Sequence, residues 1–266
     1  MRIAHQCSMG INKIMAITVV LPAYNEEESL PNLLTRFEET AQRTSAEFKI
    51  IVVNDGSSDR THDIVADRDS PLPLELIDHP QNRGLGQAVQ TGLRAAAQEA
   101  GDDEVILLMD ADDTHDPDTA LKLAEAIHEG ADIAIASRFV EGGDDSTAPP
   151  FRRLLSRGAA VVFRLVLPVD RSAHDFTSGF RAYRASTLKR AINHWGERLI
   201  EENGFACMVE LLLKLRYTNP KIVEVPLQLE YDRKLSTSKI RIVRTIFQYL
   251  KLAIRDKVSP APFREI

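Results

Sequence analysis

Asp110 and Asp112 stand either side of one small residue, Ala111, at the end of the apolar run 104–109 (EVILLM). Side chains two apart in an extended segment point the same way, so these carboxylates can share one hard cation. Mg²⁺ or Mn²⁺ suits oxygen donors, and such ions commonly bridge a protein carboxylate and a substrate diphosphate. An arbitrary D-x-D is more often a solvated acidic turn. The position at a strand end is what favours the ligand reading. The two cysteines, Cys7 and Cys207, exclude a four-thiolate zinc site.

The elements that must hold this pair can be read around it. Ile17–Pro22, Lys49–Asn54, Leu74–Asp78, Glu104–Met109 and Ile133–Ser137 are short apolar runs that predict buried strands. Between them lie helical stretches, from Asn25 as a cap to about Ala41, then Thr61–Arg68, Leu85–Ala100 and Thr119–Glu129. Five such alternations predict an α/β fold, a mostly parallel sheet covered on both faces. Ligands of open α/β sheets sit beyond the carboxyl ends of the strands, where Asp55, Asp110 and Arg138 fall. Gly84 and Gly86 lack a full dinucleotide fingerprint and read as turn and helix-start residues. After Gly142-Gly143 come a basic amphipathic segment at 150–167, a buried helix at Gly204–Leu215, a late strand at Ile222–Tyr231 and a second basic amphipathic segment at 239–257.

The chain of 266 residues is 44% apolar and 27% charged, which excludes disorder and collagen. Its net charge of −6 hides two halves: residues 1–149 carry 11 basic against 28 acidic residues, and the remainder is +11. An acidic half suits metal binding, and a basic half suits an anionic partner. Nucleic acid is excluded as that partner, because no aromatic stacking platform or reading motif accompanies the charge. Neither a membrane-spanning run nor a secretory segment is found. Residues 1–14 have no periodicity and are expected to be an extension outside the fold.

Two families share features of this chain. Asp110-Ala111-Asp112-Asp113-Thr114 resembles the D-x-D-x-T motif of haloacid dehalogenase-type phosphatases, which would make Asp110 a nucleophile and Asp112 its acid/base. That motif normally follows the first strand, and here three strands precede it. A whole series of motifs is more telling. Pro22-Ala23-Tyr24-Asn25-Glu26, Val53-Asn54-Asp55-Gly56-Ser57-Ser58-Asp59, Asn82-Arg83-Gly84 and Asp110-Ala111-Asp112 occur in the order of a family 2, GT-A-type inverting glycosyltransferase. Ala136-Ser137-Arg138-Phe139, Arg152 to Arg157, Asp175-Phe176-Thr177-Ser178-Gly179-Phe180-Arg181, Glu210-Leu211-Leu212 and Val223-Glu224-Val225-Pro226 narrow the resemblance to dolichol-phosphate (polyprenyl-phosphate) mannosyltransferases.

The resemblance implies a GT-A, Rossmann-like nucleotide-diphospho-sugar transferase fold over 15–235. Its nucleotide-sugar half reaches to about 145, its acceptor half follows, and a basic interface helix and tail occupy 236–266. It implies that Pro22, Tyr24, Glu26, Val53 and Asp55 hold the nucleoside, with Asp110, Ala111 and Asp112 at the diphosphate and Asp110 and Asp112 on Mg²⁺ or Mn²⁺. Relatives often carry glutamine as a further ligand where this chain has Thr114. Arg138, Arg152, Ser156 and Arg233 match acceptor-phosphate positions. Asp175 is the candidate base if the acceptor is instead a glycan hydroxyl. The implied reaction moves a sugar, mannose from GDP-mannose in the first instance, onto a polyprenyl phosphate with inversion.

A lipid acceptor places such an enzyme at a membrane surface, here the cytoplasmic face, alone, as a homodimer or with a small membrane subunit. Arg152, Arg153, Ser156, Arg157 and Arg164 share roughly a 140° arc of one amphipathic segment, and Arg241, Arg244, Lys251 and Arg255 roughly an 80° arc of the other. The arginines are expected to hold anionic headgroups and the acceptor phosphate while the aliphatic faces dip into the interface, and one of the two aliphatic faces is expected instead to pack on the sheet or in a dimer.

Overall fold

The computed structural model describes residues 16–144, 146, 173–229, 247–249, 251, 252, 254, 255 and 258. Seven strands form one sheet: β1 (Ala16–Ala23), β2 (Glu47–Asn54), β3 (Leu74–Asp78), β4 (Val105–Leu108), β5 (Ile133–Ser137), β6 (Arg181–Arg184) and β7 (Ile222–Pro226). Their order is β3-β2-β1-β4-β6-β5-β7. Six strands run in one direction, and β6 alone runs against its neighbours β4 and β5. The helices are α1 (Leu30–Thr44), α2 (Thr61–Ala66), α3 (Leu85–Glu99), α4 (Pro117–His128), α5 (Ala185–Trp195) and α6 (Cys207–Leu215).

The apolar runs are continuous because the central strands are covered on both faces. Val20, Ile51, Val53, Ile106 and Leu108 pack with α3, α5 and α6 into one core. Val19, Leu21, Ile50, Val52 and Leu107, the alternate positions, pack with α1 and α4 into the other. Each buried aliphatic side chain contributes roughly 1.5–3 kcal/mol. On α1 the buried residues Leu30, Leu33, Leu34 and Phe37 repeat at helical spacing.

Four features depart from the sequence expectations. Asn25 does not cap α1; it takes a φ of 52° in a turn, and the helix begins after Ser29. Glu26–Glu28 therefore lie outside the first helical turn, and the Glu26 carbonyl accepts the Ser29 and Leu30 amides. β6 and α5 were not expected as elements, although Ala185, Leu188 and Ala191 bury at helical spacing. The late strand stops at Pro226 rather than Tyr231. The segment expected to be helical at 150–167 lies outside the described residues, and that at 239–257 lies partly outside them.

Candidate functional site

The parallel strands deliver their carboxyl ends, and antiparallel β6 its start, to one edge of the sheet. There the loop after β1 and the loop after β2 are laced together. The Asn25 amide donates to Ser57 Oγ at 3.0 Å, the Ser58 amide to Asn25 Oδ1 at 2.8 Å and the Glu26 amide to Thr61 Oγ1 at 2.9 Å. Tyr24 is exposed beside this lacing and Glu26 is buried within it. The Pro22 and Val53 side chains are buried, and Val53 sits against Gly92 of α3, so a ligand would meet Val53 through its main chain.

Asp55 is buried and heavily engaged. Its Oδ1 lies 2.6 Å from His79 Nδ1 and accepts the Arg83 amide at 2.9 Å, while Oδ2 accepts the Gly84 amide at 2.8 Å. Sequence reasoning singled out Asp55 but not His79, a lone histidine after a strand that belongs neither to the Asp55 motif nor to Asn82-Arg83-Gly84. Gly84 takes a φ of 92° at the start of α3. Gly86 is required for a different reason than a helix start: a Cβ there would meet the Glu202 carbonyl oxygen at 1.8 Å.

The Asp110–Asp112 segment follows β4. The side chain of Asp110 is 32% exposed, and Asp112 is buried, with Oδ1 accepting the Thr114 hydroxyl at 2.6 Å. Thr114 thus holds the second aspartate. A Cβ on Gly179 would lie 3.3 Å from Asp110 Oδ1, so this glycine leaves room for the carboxylate. His115 is buried, stacks near Phe180 with ring centroids 5.0 Å apart, and brings Nε2 to 4.0 Å from Asp110 Oδ2. Behind the loop, Arg36 of α1 donates from Nη1 to Asp113 Oδ1 at 2.7 Å and to the His115 carbonyl at 3.1 Å. Asp113 has a φ of 58°, a conformation that aspartate tolerates better than most residues. Arg36 lies 77 positions away in the chain from the loop it pins, which is why the sequence did not reveal it.

The donor set fits a small hard cation. Among the described residues no group of three or more His, Cys, Asp or Glu forms a protein cage for a metal. One or two carboxylates completed by substrate phosphates is how Mg²⁺ is usually held.

Arg138, just past β5, grips Asp175 from the loop before β6. Nε donates to Oδ2 at 2.8 Å and Nη2 to Oδ1 at 2.8 Å, and Nη2 also reaches Thr177 Oγ1 at 2.9 Å. Asp175 is fully buried. Burial alone would raise its pKa, but the Arg138 charge and hydrogen bonds hold the carboxyl below its ordinary value, helped by the nearby Arg181. Arg181 itself is fully buried and donates to the carbonyls of Met208 at 2.8 Å and Phe176 at 2.7 Å. Glu224 of β7 accepts the Asp175 amide at 2.7 Å and so fixes the loop from the other side.

The described part of the last amphipathic segment is helical and leans on α6. Arg255 pairs with buried Glu210, which also accepts Lys214 Nζ at 2.9 Å and the Glu202 amide at 2.8 Å. This corrects the expectation that Arg255 faces headgroups: it is spent on an internal carboxylate. The Leu252 side chain is buried, whereas Phe247, Ile254 and Val258 are 68%, 65% and 75% exposed. Lys251 is exposed with them. Arg152, Ser156 and Arg233 lie outside the described residues. Among the described residues no helix is long and apolar enough to cross a membrane.

Known proteins agree with this architecture. Residues 18–191 match the family model of Glycosyl transferase family 2. The chain is 38% identical over 239 residues to the dolichol-phosphate mannosyltransferase of Pyrococcus furiosus, covering 89% of this chain but only 62% of that protein. It is 34% identical over 227 residues to the undecaprenyl-phosphate mannosyltransferase of Micrococcus luteus, with 85% and 88% covered. In fold it is similar to glucosyl-3-phosphoglycerate synthase from Mycobacterium tuberculosis, with a TM-score of 0.65 at 17% identity over 92% of this chain and 82% of that one. The same synthase in complex with Mn²⁺, UDP and glucosyl-3-phosphoglycerate gives a TM-score of 0.63 at 18% identity, with 90% and 80% covered. The GT-A sheet, the ordered motifs at its carboxyl edge and these relatives replace the phosphatase alternative with one assignment: the chain is a glycosyltransferase and belongs to glycosyl transferase family 2.

Proposed function

We propose that this enzyme transfers mannose from a nucleotide-diphosphate sugar, GDP-mannose, onto a polyprenyl phosphate at a membrane surface. The acceptor class is drawn from the relatives' names. On the chain itself, one observation carries it: Asp175, the carboxylate that a hydroxyl acceptor would require as base, is fully buried and held at both oxygens by Arg138. A carboxylate in that grip, with its pKa lowered, is a poor base. A phosphate acceptor needs none, since it is already an anionic nucleophile near neutral pH. It needs a cationic wall, and Arg138 supplies part of one.

In this reading the loops after β1 and β2 bind the nucleoside, with Asp55 offering one acceptor lone pair toward it. Asp110 and Asp112 would hold Mg²⁺ or Mn²⁺, which when bound neutralises charge on a diphosphate leaving group. Arg138, with Arg152, Ser156 and Arg233, positions the acceptor phosphate for attack on the anomeric carbon opposite the departing diphosphate. A single displacement through an oxocarbenium-like state inverts that carbon. Buried Asp175 keeps the Arg138 guanidinium in one orientation.

Peripheral membrane contact, on the cytoplasmic face, belongs to the same proposal. Phe247, Ile254 and Val258 form an exposed apolar stripe at helical spacing beside Lys251, which suits shallow insertion among headgroups. The decisive experiment supplies purified protein with radiolabelled GDP-mannose, UDP-glucose or UDP-GlcNAc, divalent ions and membrane lipids. Label from GDP-mannose entering an organic-extractable, mild-acid-labile product is the expected result. Label confined to water-soluble glycan would overturn the acceptor assignment, and label taken only from a UDP-sugar would overturn the donor assignment.

A further inference from the structure

We propose that His79 is a positioning residue for the nucleotide end of the site: it fixes the Asp55 carboxylate and, through it, the Arg83–Gly84 turn that opens α3. The link to nucleotide binding rests on the function proposed above, whereas the anchoring of the turn stands on geometry alone.

His79 directly follows β3 and is 6% exposed, and Asp55 is 2% exposed. The His79 amide donates to the Asn54 carbonyl at 2.9 Å, which tethers the backbone of this position to the end of β2. Its ring then spans two elements, with Nδ1 2.6 Å from Asp55 Oδ1 and Nε2 3.0 Å from Thr91 Oγ1 on α3. An ionised carboxylate only accepts, so Nδ1 carries the proton; in the neutral ring Nε2 accepts from the Thr91 hydroxyl. The imidazole is thereby locked between the helix and the carboxylate.

Asp55 passes the constraint on. With the ring and the amides of Arg83 and Gly84, it accepts three donors, and a carboxylate offers about four lone-pair sites. One acceptor direction, on Oδ2, is left for a ligand. The turn it holds has little freedom to adapt, because Gly84 takes a φ of 92° and even a Cβ there would meet the Asn203 carbonyl oxygen at 2.6 Å. Removing the imidazole would leave Asp55 buried and short of a donor, so its carboxylate would turn to satisfy itself, and both the spare lone pair and the turn would lose their orientation. The reacting sugar and acceptor lie at other loops, so the loss should appear in donor binding and not in the chemical step.

The test compares His79→Leu with His79→Asn, whose side-chain amide nitrogen can stand where Nδ1 donates. Binding of GDP-mannose and of UDP-glucose is measured by calorimetry, transfer by steady-state kinetics, and backbone amide exchange by mass spectrometry. For the nucleotide sugar that the wild type binds, His79→Leu should weaken affinity and raise KM about tenfold with kcat within about twofold, and His79→Asn should recover to within about threefold. Exchange at Arg83 and Gly84 should quicken about tenfold in the leucine variant, with α1 and α5 unchanged. Unchanged affinity, a loss confined to kcat, or no recovery in the asparagine variant would overturn the positioning role. If the wild type binds neither nucleotide sugar, the proposed function fails, and the exchange comparison then decides the anchoring by itself: no quickening at Arg83 and Gly84 overturns it.

Discussion

Replacing Arg138 with methionine keeps most of the aliphatic volume and strands Asp175. The carboxylate is fully buried and loses two charge-assisted hydrogen bonds of 2.8 Å. Breaking a buried ion pair by removing one partner costs about 3–5 kcal/mol. Asp175 retains the Ser178 amide at 3.0 Å and the Thr177 amide at 3.2 Å, and Arg181 still favours its charge, so the low end, about 3 kcal/mol, is expected. In a chain of this size that lowers Tm by roughly 6–12 °C. The pH dependence supplies the sharper assay. In the wild type the folded Asp175 pKa lies below its unfolded value of about 3.9, so the pair's stabilisation is complete above that value and is lost as pH falls through the folded pKa. In Arg138→Met, burial acts without the arginine and raises the pKa. The folded variant then takes up the proton more readily than the unfolded chain, and its deficit shrinks on acidification. Urea unfolding of both proteins at pH 7 and at pH 4 should therefore show a gap that narrows at the lower pH. A gap below about 1 kcal/mol at pH 7, or one that does not narrow, would show that Asp175 does not depend on Arg138.

Asp110→Asn and Asp112→Asn should each abolish transfer and weaken Mn²⁺ binding in calorimetry, while Tm stays within a few degrees; normal turnover with chelated divalent ions would refute the metal assignment. Arg255→Gln removes one of several partners of Glu210, so a loss of only about 1 kcal/mol in urea unfolding is expected, since the guanidinium is partly exposed. The single tryptophan, Trp195, whose ring lies 5.4 Å from Lys214 Nζ of the same cluster, should report that change in its emission. Phe247→Ser combined with Ile254→Ser should abolish pelleting with anionic liposomes and leave the circular dichroism spectrum unaltered. Deleting residues 1–14 should leave Tm nearly unchanged, and a large drop would show that the segment packs.

The parts of the fold that were legible in the sequence are those governed by local patterning. Ile17–Pro22 and Lys49–Asn54 are continuous apolar runs because both faces of their strands are covered, and the structure extends each by only a few residues. β6 was missed because it is only four residues long and has an arginine at each end, Arg181 and Arg184, around Ala182 and Tyr183. An arginine at a strand position normally argues for exposure, and here Arg181 is fully buried on two carbonyl acceptors supplied by Phe176 and Met208. No local pattern announces acceptors that tertiary packing provides. The start of α1 was misplaced for a related reason. Asn25 is a good capping residue, but its side chain serves the Ser58 amide, 33 positions along the chain. The site followed the same division. Asp55, Asp110, Asp112, Arg138 and Asp175 could be named because they sit in ordered motifs, whereas His79 and Arg36 act across long stretches of chain and carry no motif of their own. Glu224 lies in the Val223–Pro226 motif, but its role depends on the fold that sets it against the Asp175 loop.

The acidic excess of the first half also takes on a different meaning once its partners are known. Twenty-eight acidic residues against 11 basic ones suggested a surface made for cations. At the carboxyl edge of the sheet, however, many of those carboxylates are occupied by groups the charge count ignores. Asp55 is taken by an imidazole and two amides, Asp59 by Thr61 and the Glu27 amide, and Asp112 by the Thr114 hydroxyl. Only basic side chains register in a charge balance, whereas amides and hydroxyls satisfy a buried carboxylate while leaving its charge formally uncancelled. Such bonds build the loops, and a carboxylate that accepts them, as Asp112 does on Oδ1, keeps fewer lone pairs for an ion. Asp110 differs from these carboxylates in degree, with about a third of its side chain open to solvent and glycine standing opposite. For the proposed cation position, the number of acids in this half is therefore a weaker argument than the placement of Asp110 and Asp112 at the end of β4. Crowding the opposite side tests this directly. Gly179→Ala would bring a methyl to 3.3 Å from Asp110 Oδ1, tighter than most such contacts, and should weaken Mn²⁺ binding while leaving Asp112 and the fold in place. An affinity equal to that of the wild type would mean that the carboxylate does not depend on that opening.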